Sequence, residues 1–138
     1  MSLENFEIVR RLYEAIARRD ADTVLALYDP EVAADFSASP MGFLTGGRGV
    51  VYHGHKGLQH LSRDWNEAWA DVEYEIVDLS DAGEHVIGAL TYRGRGRASG
   101  AEVEETDYPV WTIRDGKIVR VVWTRSRPDA LEAVGLSE

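Results

Sequence analysis

The sequence contains no cysteine, so disulfide bonds and thiol chemistry are excluded for this chain of 138 residues. Basic residues are also scarce. Fifteen lysines and arginines stand against 24 aspartates and glutamates, which gives a formal net charge of -9. Nucleic acids and anionic membranes bind basic protein surfaces, so this balance argues against both as partners.

Long apolar runs are missing as well, and no stretch approaches the roughly 18 residues that a membrane span needs. The start of the chain is charged throughout, unlike a signal peptide. With 44% hydrophobic residues, a chain of this length can bury the core of one domain. We therefore expect a cytoplasmic protein made of a single domain, residues 1–138, with no membrane segment.

Three segments carry apolar residues at helical spacing. In residues 3–18 these form one stripe, which comprises Phe6, Val9, Leu12, Tyr13 and Ile16. Residues 21–28 predict a short second helix that Pro30 ends. Residues 57–70 predict a third helix, on which Trp65 and Trp69 are four positions apart and share one face.

Alternating apolar residues and turn signals predict strands in most of the remaining chain. The predicted strands cover residues 31–36, 50–52, 72–79, 85–96, 102–113 and 118–124, and a short helix follows over 130–134. Between the first two strands, residues 37–49 form a loop whose length is typical of lids and binding loops, or of a mobile surface excursion. The predicted fold class is α+β, with helices on one face of a curved antiparallel sheet.

The strongest local signal is the hairpin at residues 110–125. Asp115-Gly116 predicts a tight turn, because Gly takes the positive φ that such turns need. After the turn, strict alternation puts Val121 and Trp123 on one face of the strand and Ile118 on the other.

Three stretches together resemble the SnoaL-like branch of the nuclear-transport-factor-2-like superfamily. They are NFEIVRRLYEAIARRDADTVLALYDPEV, VYHGHKGLQHLSRDWNEAW, and the run from RGRGRASG to the end, which contains RDGKIVR and DALEAVGL. The resemblance implies a strongly curved antiparallel sheet wrapped around the long N-terminal helix, with a cone-shaped apolar pocket. It also implies homodimers through the outer sheet face. Functions in this superfamily range over isomerases, cyclases, epoxide hydrolases, dehydratases and non-catalytic binders, so the fold alone does not assign one.

The ketosteroid isomerase type within this superfamily uses three groups: a Tyr on the first helix, an Asp base on the first strand, and an Asp on a later strand. The surroundings of the second Asp raise its pKa, so that it stays protonated. The corresponding positions here lack those groups and are Leu12, Phe36 and Pro109. Tyr13 and Asp35 are each one residue away, and Asp107 is one step along the same strand face. The three departures mean that the isomerase chemistry is not transferred to this chain.

Two carboxylates are the candidate catalytic bases, Asp35 and Asp107, because a carboxylate at the rim of an apolar cone can act as a general base. The face on which Asp35 lies depends on the register of its strand, since a slip of one residue reverses it. The candidate ligand-binding residues are Tyr13, Tyr52, His53, Trp65, Trp69, Tyr92, Trp123 and Arg125. In the alternative, these side chains only pack the core or face solvent. No metal site and no cofactor are predicted, because the histidines lack a recognised ligand spacing.

Two functions follow from these residues. The first is a cofactor-free isomerase, cyclase or hydrolase that acts by acid–base chemistry on a small apolar organic molecule, with tyrosines stabilising an oxyanion. The second is a non-catalytic ligand-binding or interaction module of the same fold. Whether the protein is an enzyme stays open at this point. A homodimer is expected through an apolar patch on the outer sheet face that comprises Ile87, Ala89, Val110, Val122 and Thr124.

Overall fold

The computed structural model describes residues 2–36 and 51–135, and the side chains from residue 4 onward. Within these ranges the chain has four helices and six strands in an α+β arrangement, as predicted. In chain order they are α1 (Ser2–Ala17), α2 (Ala21–Leu27), β1 (Tyr28–Asp35), β2 (Val51–His53), α3 (Gly54–Ala68), β3 (Trp69–Ala82), β4 (His85–Gly96), β5 (Glu102–Arg114), β6 (Lys117–Thr124) and α4 (Arg127–Ala133). The predicted loop at 37–49 lies outside the described residues. No helix in the described part of the chain has the length and apolar character needed to cross a membrane.

One curved, open sheet contains all six strands in the order β2-β1-β6-β5-β4-β3. Neighbouring strands are antiparallel except for β1 and β6, which are parallel. Helix α1 lies against one face of this sheet, the inner face, and fully buries Val9 and Leu12 from its predicted stripe. The inner face therefore holds the main core.

Helix α2 and strand β1 are directly joined. The Asp20 side chain caps α2 by accepting hydrogen bonds from the Thr23 backbone N–H (3.2 Å) and hydroxyl (2.7 Å), and these bonds lower the pKa of Asp20. Strand β1 begins at Tyr28, three residues earlier than predicted, and contains Pro30. Proline offers no N–H to a sheet ladder, and the β1–β6 register is irregular between Tyr28 and Ala33, which accommodates it.

The predicted boundary between the third helix and the next strand is wrong by two residues. Helix α3 ends at Ala68, and Trp69 is already the first residue of β3, with extended backbone angles. The turn after β4 closes over the helix end, since Arg97 donates to the Ala68 carbonyl through its backbone N–H (3.0 Å) and to the Asn66 carbonyl through Nε (2.6 Å). Trp65 and Trp69 therefore approach each other from different elements.

Strand β6 also departs from simple alternation. Thr112 pairs with Arg120, but Ile113 pairs with Ile118, so β6 carries one extra residue at Val119. This bulge turns Ile118 onto the inner face, where it is fully buried, and the prediction that it faces away from Val121 is wrong.

Helix α4 covers part of the outer sheet face. Ala130 packs there against Ile87 and Val110, with Leu131 beside them. Ile87 and Val110 are consequently buried within the chain and are not free to form an interface between subunits. Of the apolar patch predicted for dimerisation, Ala89 and Val122 stay partly exposed.

Candidate active site

The registers of β4, β5 and β6 place one row of side chains on the inner face. Leu90 lies opposite Asp107, Val86 opposite Trp111, and Trp111 opposite Val121. Side chains two residues apart in a strand share a face. The inner face near the middle of the sheet therefore combines one carboxylate, Asp107, with large aromatic rings.

Eight aromatic side chains form a continuous set on this face, which we call the aromatic arc. In order of contact they are Trp123, Phe36, Trp65 with Trp69 beside it, Tyr92, Tyr74, Tyr13 and Trp111. The ring centroids of successive members are 4.1 to 6.5 Å apart, and the planes are tilted or edge-on. These are the separations at which aromatic pairs attract each other beyond simple burial. The arc brings together five of the predicted ligand-binding residues: Tyr13, Trp65, Trp69, Tyr92 and Trp123.

Asp107 lies within the arc and is 2% exposed. Its negative charge is among the causes that raise the pKa of both Tyr92 and Tyr13, after burial of the tyrosines themselves. The Tyr92 hydroxyl is close enough to interact with this carboxyl, yet it has no hydrogen bond of ordinary length to the described residues. A buried carboxyl and two phenol groups therefore share one apolar surrounding.

The tyrosines of the inner face stay protonated at neutral pH. Burial raises the pKa of Tyr13, Tyr28 and Tyr92 well above 10, and that of Tyr74 to about 12. Burial acts in this direction because the charged phenolate is poorly solvated away from water. These hydroxyls can thus donate hydrogen bonds, and they cannot serve as bases near neutral pH.

A glycine on β4 makes room for the largest ring of the arc. A Cβ atom at Gly88 would lie 2.6 Å from Cζ3 and 2.9 Å from Cη2 of Trp111. Real Cβ atoms do not approach carbon atoms so closely, so the Trp111 ring occupies the place of a side chain at position 88. Trp111 itself is fully buried.

Comparison with known proteins identifies the family. The family model described as the SnoaL-like domain matches residues 9–121. The chain belongs to the SnoaL-like family. No curated protein matches it.

Solved structures share the fold over nearly the whole length of this SnoaL-like chain. An NTF2-like protein of unknown function from Burkholderia pseudomallei is 24% identical, with a TM-score of 0.77 and coverage of 94% of this chain and 95% of the other. TerC, co-crystallized with polyporic acid, is 20% identical, with a TM-score of 0.77 and coverage of 96% and 98%. A candidate SnoaL-like polyketide cyclase from Jannaschia sp. is 18% identical, with a TM-score of 0.74 and coverage of 96% and 90%.

Three of the predicted ligand-binding residues of this SnoaL-like chain lie outside the arc. The Tyr52 hydroxyl donates a 2.7 Å hydrogen bond to Asp64 Oδ2 and so ties β2 to α3. His53 precedes α3 and is exposed. Arg125 follows β6 and is also exposed. Their roles toward a ligand stay predictions.

Asp35 is partly buried and lies on the other sheet face from the arc. It pairs with Val122 across the parallel ladder, whereas its neighbour Ala34 pairs with Val121 of the inner core. Phe36, the next residue, is buried on the inner face against Trp123. The structure therefore does not bring Asp35 together with Asp107, and a catalytic role for Asp35 stays a prediction.

Two members of the arc, Phe36 and Tyr74, were absent from the predicted site residues. Phe36 directly follows β1, whose inward side chains Val32 and Ala34 are fully buried. Alternation along that strand was the available signal for Phe36. Tyr74 lies opposite Tyr92 on β3, a pairing that depends on the irregular register between Ala70 and Glu73.

The arc is tightly packed. The crevice lined by Trp65, Trp69, Val72, Tyr92, Gly94 and Val103 has no room for a water molecule. Within the described ranges, no three His, Cys, Asp or Glu side chains lie together in a way that could hold a metal ion.

Proposed function

We propose that this SnoaL-like protein binds a small, mostly apolar organic molecule at the aromatic arc and that Asp107 exchanges a proton with it. The observation that carries this proposal is the burial of the Asp107 carboxyl among aromatic rings, within reach of the Tyr92 hydroxyl. Small-molecule sites are typically apolar and aromatic with a few placed polar groups. A carboxyl is costly to bury in such a place, and catalytic sites are where such groups are often retained.

The chemistry that this arrangement supports is removal or delivery of a proton next to a carbonyl group. An ionised Asp107 accepts the proton, while a protonated tyrosine donates a hydrogen bond to the oxygen on which negative charge develops. Tyr13 and Tyr92 suit the second role, because their raised pKa keeps them as donors. No cofactor takes part in this scheme.

Ligand entry requires side chains of the arc to move, since the crevice between Trp65, Trp69 and Tyr92 is filled. Trp65 is the arc residue suited to this movement. It is only partly buried, and it contacts Phe36, Trp69 and Tyr92, so its displacement opens the arc toward solvent.

The second candidate function is a non-catalytic ligand-binding or interaction module. The close packing of the arc favours it, because a filled interior is typical of a structural core. A homodimer through the outer sheet face and a cytoplasmic location also stay predictions, and sedimentation of the purified protein tests the first of these. A monomer of 15.4 kDa at micromolar concentration would contradict the dimer.

Deuterium exchange separates the two functions. A panel of small aromatic and alicyclic ketones, together with polyporic acid as a known ligand of a structural neighbour, is first tested for binding. Exchange of the hydrogens next to each ketone carbonyl is then followed by proton NMR in deuterated water. We expect faster exchange with the wild-type protein than without it for at least one bound ketone.

Three variants show which carboxylate, if any, is the base. Asp107→Asn keeps the size of the side chain and should slow the exchange by about 10² to 10⁴-fold, while the exposed Asp78→Asn serves as a matched control on the outer surface. Loss of exchange in Asp35→Asn alone would assign the base to Asp35 instead. Binding of several ketones without exchange of any would support the non-catalytic module.

A further inference from the structure

Three indole N–H groups of the aromatic arc, those of Trp65, Trp69 and Trp111, are buried without a hydrogen bond of ordinary length to the described residues. That of Trp65 lies close enough to Tyr74 to interact with its hydroxyl. Native proteins satisfy the great majority of buried donors, because an unpaired one loses its bonds to water and gains nothing in return. Trp111 is the stronger case, since its side chain is fully buried in the middle of the inner face.

The six-membered ring of Trp111 points along the sheet toward Asp107. Its Cζ3 and Cη2 atoms lie over Gly88 on the neighbouring strand, two residues nearer to the partner of Asp107 than Val86, which pairs with Trp111. The Nε1 atom belongs to the other ring of the indole. The indole meets Tyr13 edge-on, at 6.1 Å between centroids. Tyr13 is only partly buried, so a molecule that binds in the arc beside Tyr13 lies next to Trp111.

We propose that Trp111 is a ligand-recognition residue whose Nε1–H donates a hydrogen bond to a carbonyl or enolate oxygen of the molecule bound in the arc. This inference rests on the proposed function and specifies its ligand. Several donors belong to this part of the arc, because the Tyr13 and Tyr92 hydroxyls lie near the Asp107 carboxyl and the unpaired Trp111 indole packs against Tyr13.

The ligand that complements such a site is flat, apolar over most of its surface, and rich in acceptor oxygens. A hydrocarbon of the same shape leaves the Trp111 donor unpaired, and an amine adds a further donor. A site built around a buried donor discriminates strongly against ligands that lack the acceptor, because the donor is then left unsatisfied.

The test compares indanone with indane, two bicyclic molecules of almost the same shape that differ by one carbonyl oxygen. Nitrogen-15-labelled protein shows the indole N–H signals of its four tryptophans separately. We expect indanone to bind about fivefold more tightly than indane, the value of one ordinary hydrogen bond. We also expect indanone, and not indane, to move the Trp111 indole signal downfield.

Trp111→Phe removes the N–H and keeps an aromatic ring. It should abolish the preference for indanone and change the affinity for indane less. The matched control is Trp69→Phe, which removes another unpaired indole N–H and should retain the preference. Should Trp111→Phe fail to fold, the wild-type indole signal, assigned by triple-resonance spectroscopy, decides the question by its response to the two compounds.

The outcomes separate this inference from the proposed function. Equal binding of both compounds, or a preference that survives Trp111→Phe, overturns the role of Trp111 while leaving the arc as a binding site. Loss of the preference in Trp69→Phe moves the role to that residue and equally overturns it. Binding of neither compound refutes the arc as a site for flat carbonyl molecules, and the inference falls with it.

Discussion

The contact between Gly88 and Trp111 yields a prediction about stability that a double-mutant cycle can test. Gly88→Ala adds one methyl group that would lie 2.6 Å from Cζ3 of a fully buried ring. Ring and strand both have to shift, because the interior is close-packed. We expect the variant to fold with lower stability and a displaced Trp111.

The magnitude follows from two opposing effects. Overpacking of a core costs about 1 to 3 kcal/mol, and replacing a strand glycine by alanine recovers roughly 0.5 to 1 kcal/mol of backbone entropy. The net loss is about 1 to 2 kcal/mol. For 138 residues at about 2.1 cal/mol/K of unfolding entropy per residue, this lowers the Tm by about 3 to 7 °C.

The assay is thermal and urea unfolding of four proteins: wild type, Gly88→Ala, Trp111→Leu and the double variant. Trp111→Leu removes the ring atoms that the new methyl group meets. In that background Gly88→Ala should be neutral or slightly stabilising, so the two changes should couple by the overpacking cost alone, about 1 to 3 kcal/mol. An equal cost of Gly88→Ala in both backgrounds would refute the argument, because the clash with the ring would then not be its cause.

Three further predictions concern the rest of the chain. The inner-face tyrosines have a higher pKa in the folded protein than in the unfolded chain, where it is about 10. Their contribution to the free energy of unfolding is therefore fully present below about pH 10. It falls as the pH rises toward the folded pKa values, by about 1.4 kcal/mol per pH unit for each tyrosine. Urea unfolding between pH 8 and pH 11 measures this. The chain has six tyrosines, so tyrosinate absorbance near pH 10 in the still-folded protein that exceeds the contribution of Tyr52 and Tyr108 would contradict it. The Ser126 hydroxyl caps α4 by accepting a hydrogen bond from the Asp129 N–H at 3.2 Å. Ser126→Ala should lower the free energy of unfolding in urea by about 1 kcal/mol, and Ser126→Asp should not lower it. Tyr52→Phe removes the 2.7 Å bond to Asp64 and should cost about 1 kcal/mol, and the same substitution should cost much less in an Asp64→Ala background.

Local chemistry made the hairpin between β5 and β6 predictable. Asp115 and Gly116 both adopt positive φ, 52° and 74°, as a tight turn of this type requires. The N-terminal helix was equally predictable, because its apolar stripe recurs at helical spacing and packs against one core. The aromatic residues of β4 and β6 could be assigned to the inner face from alternation alone. These features depend on neighbours in sequence, so the amino-acid sequence by itself determined them.

Long-range pairing decided the remaining features of the site. The bulge at Val119, which turns Ile118 inward, arises where β6 adjusts to β5, and strict alternation cannot reveal it. The parallel pairing of β1 with β6 puts Asp35 on the opposite face from the aromatic arc, and a shift of one residue would have reversed this. Asp107 meets Tyr13 only because α1 packs across the sheet. Tertiary structure alone settles which carboxylate is buried among the rings, because burial depends on residues far apart in the chain.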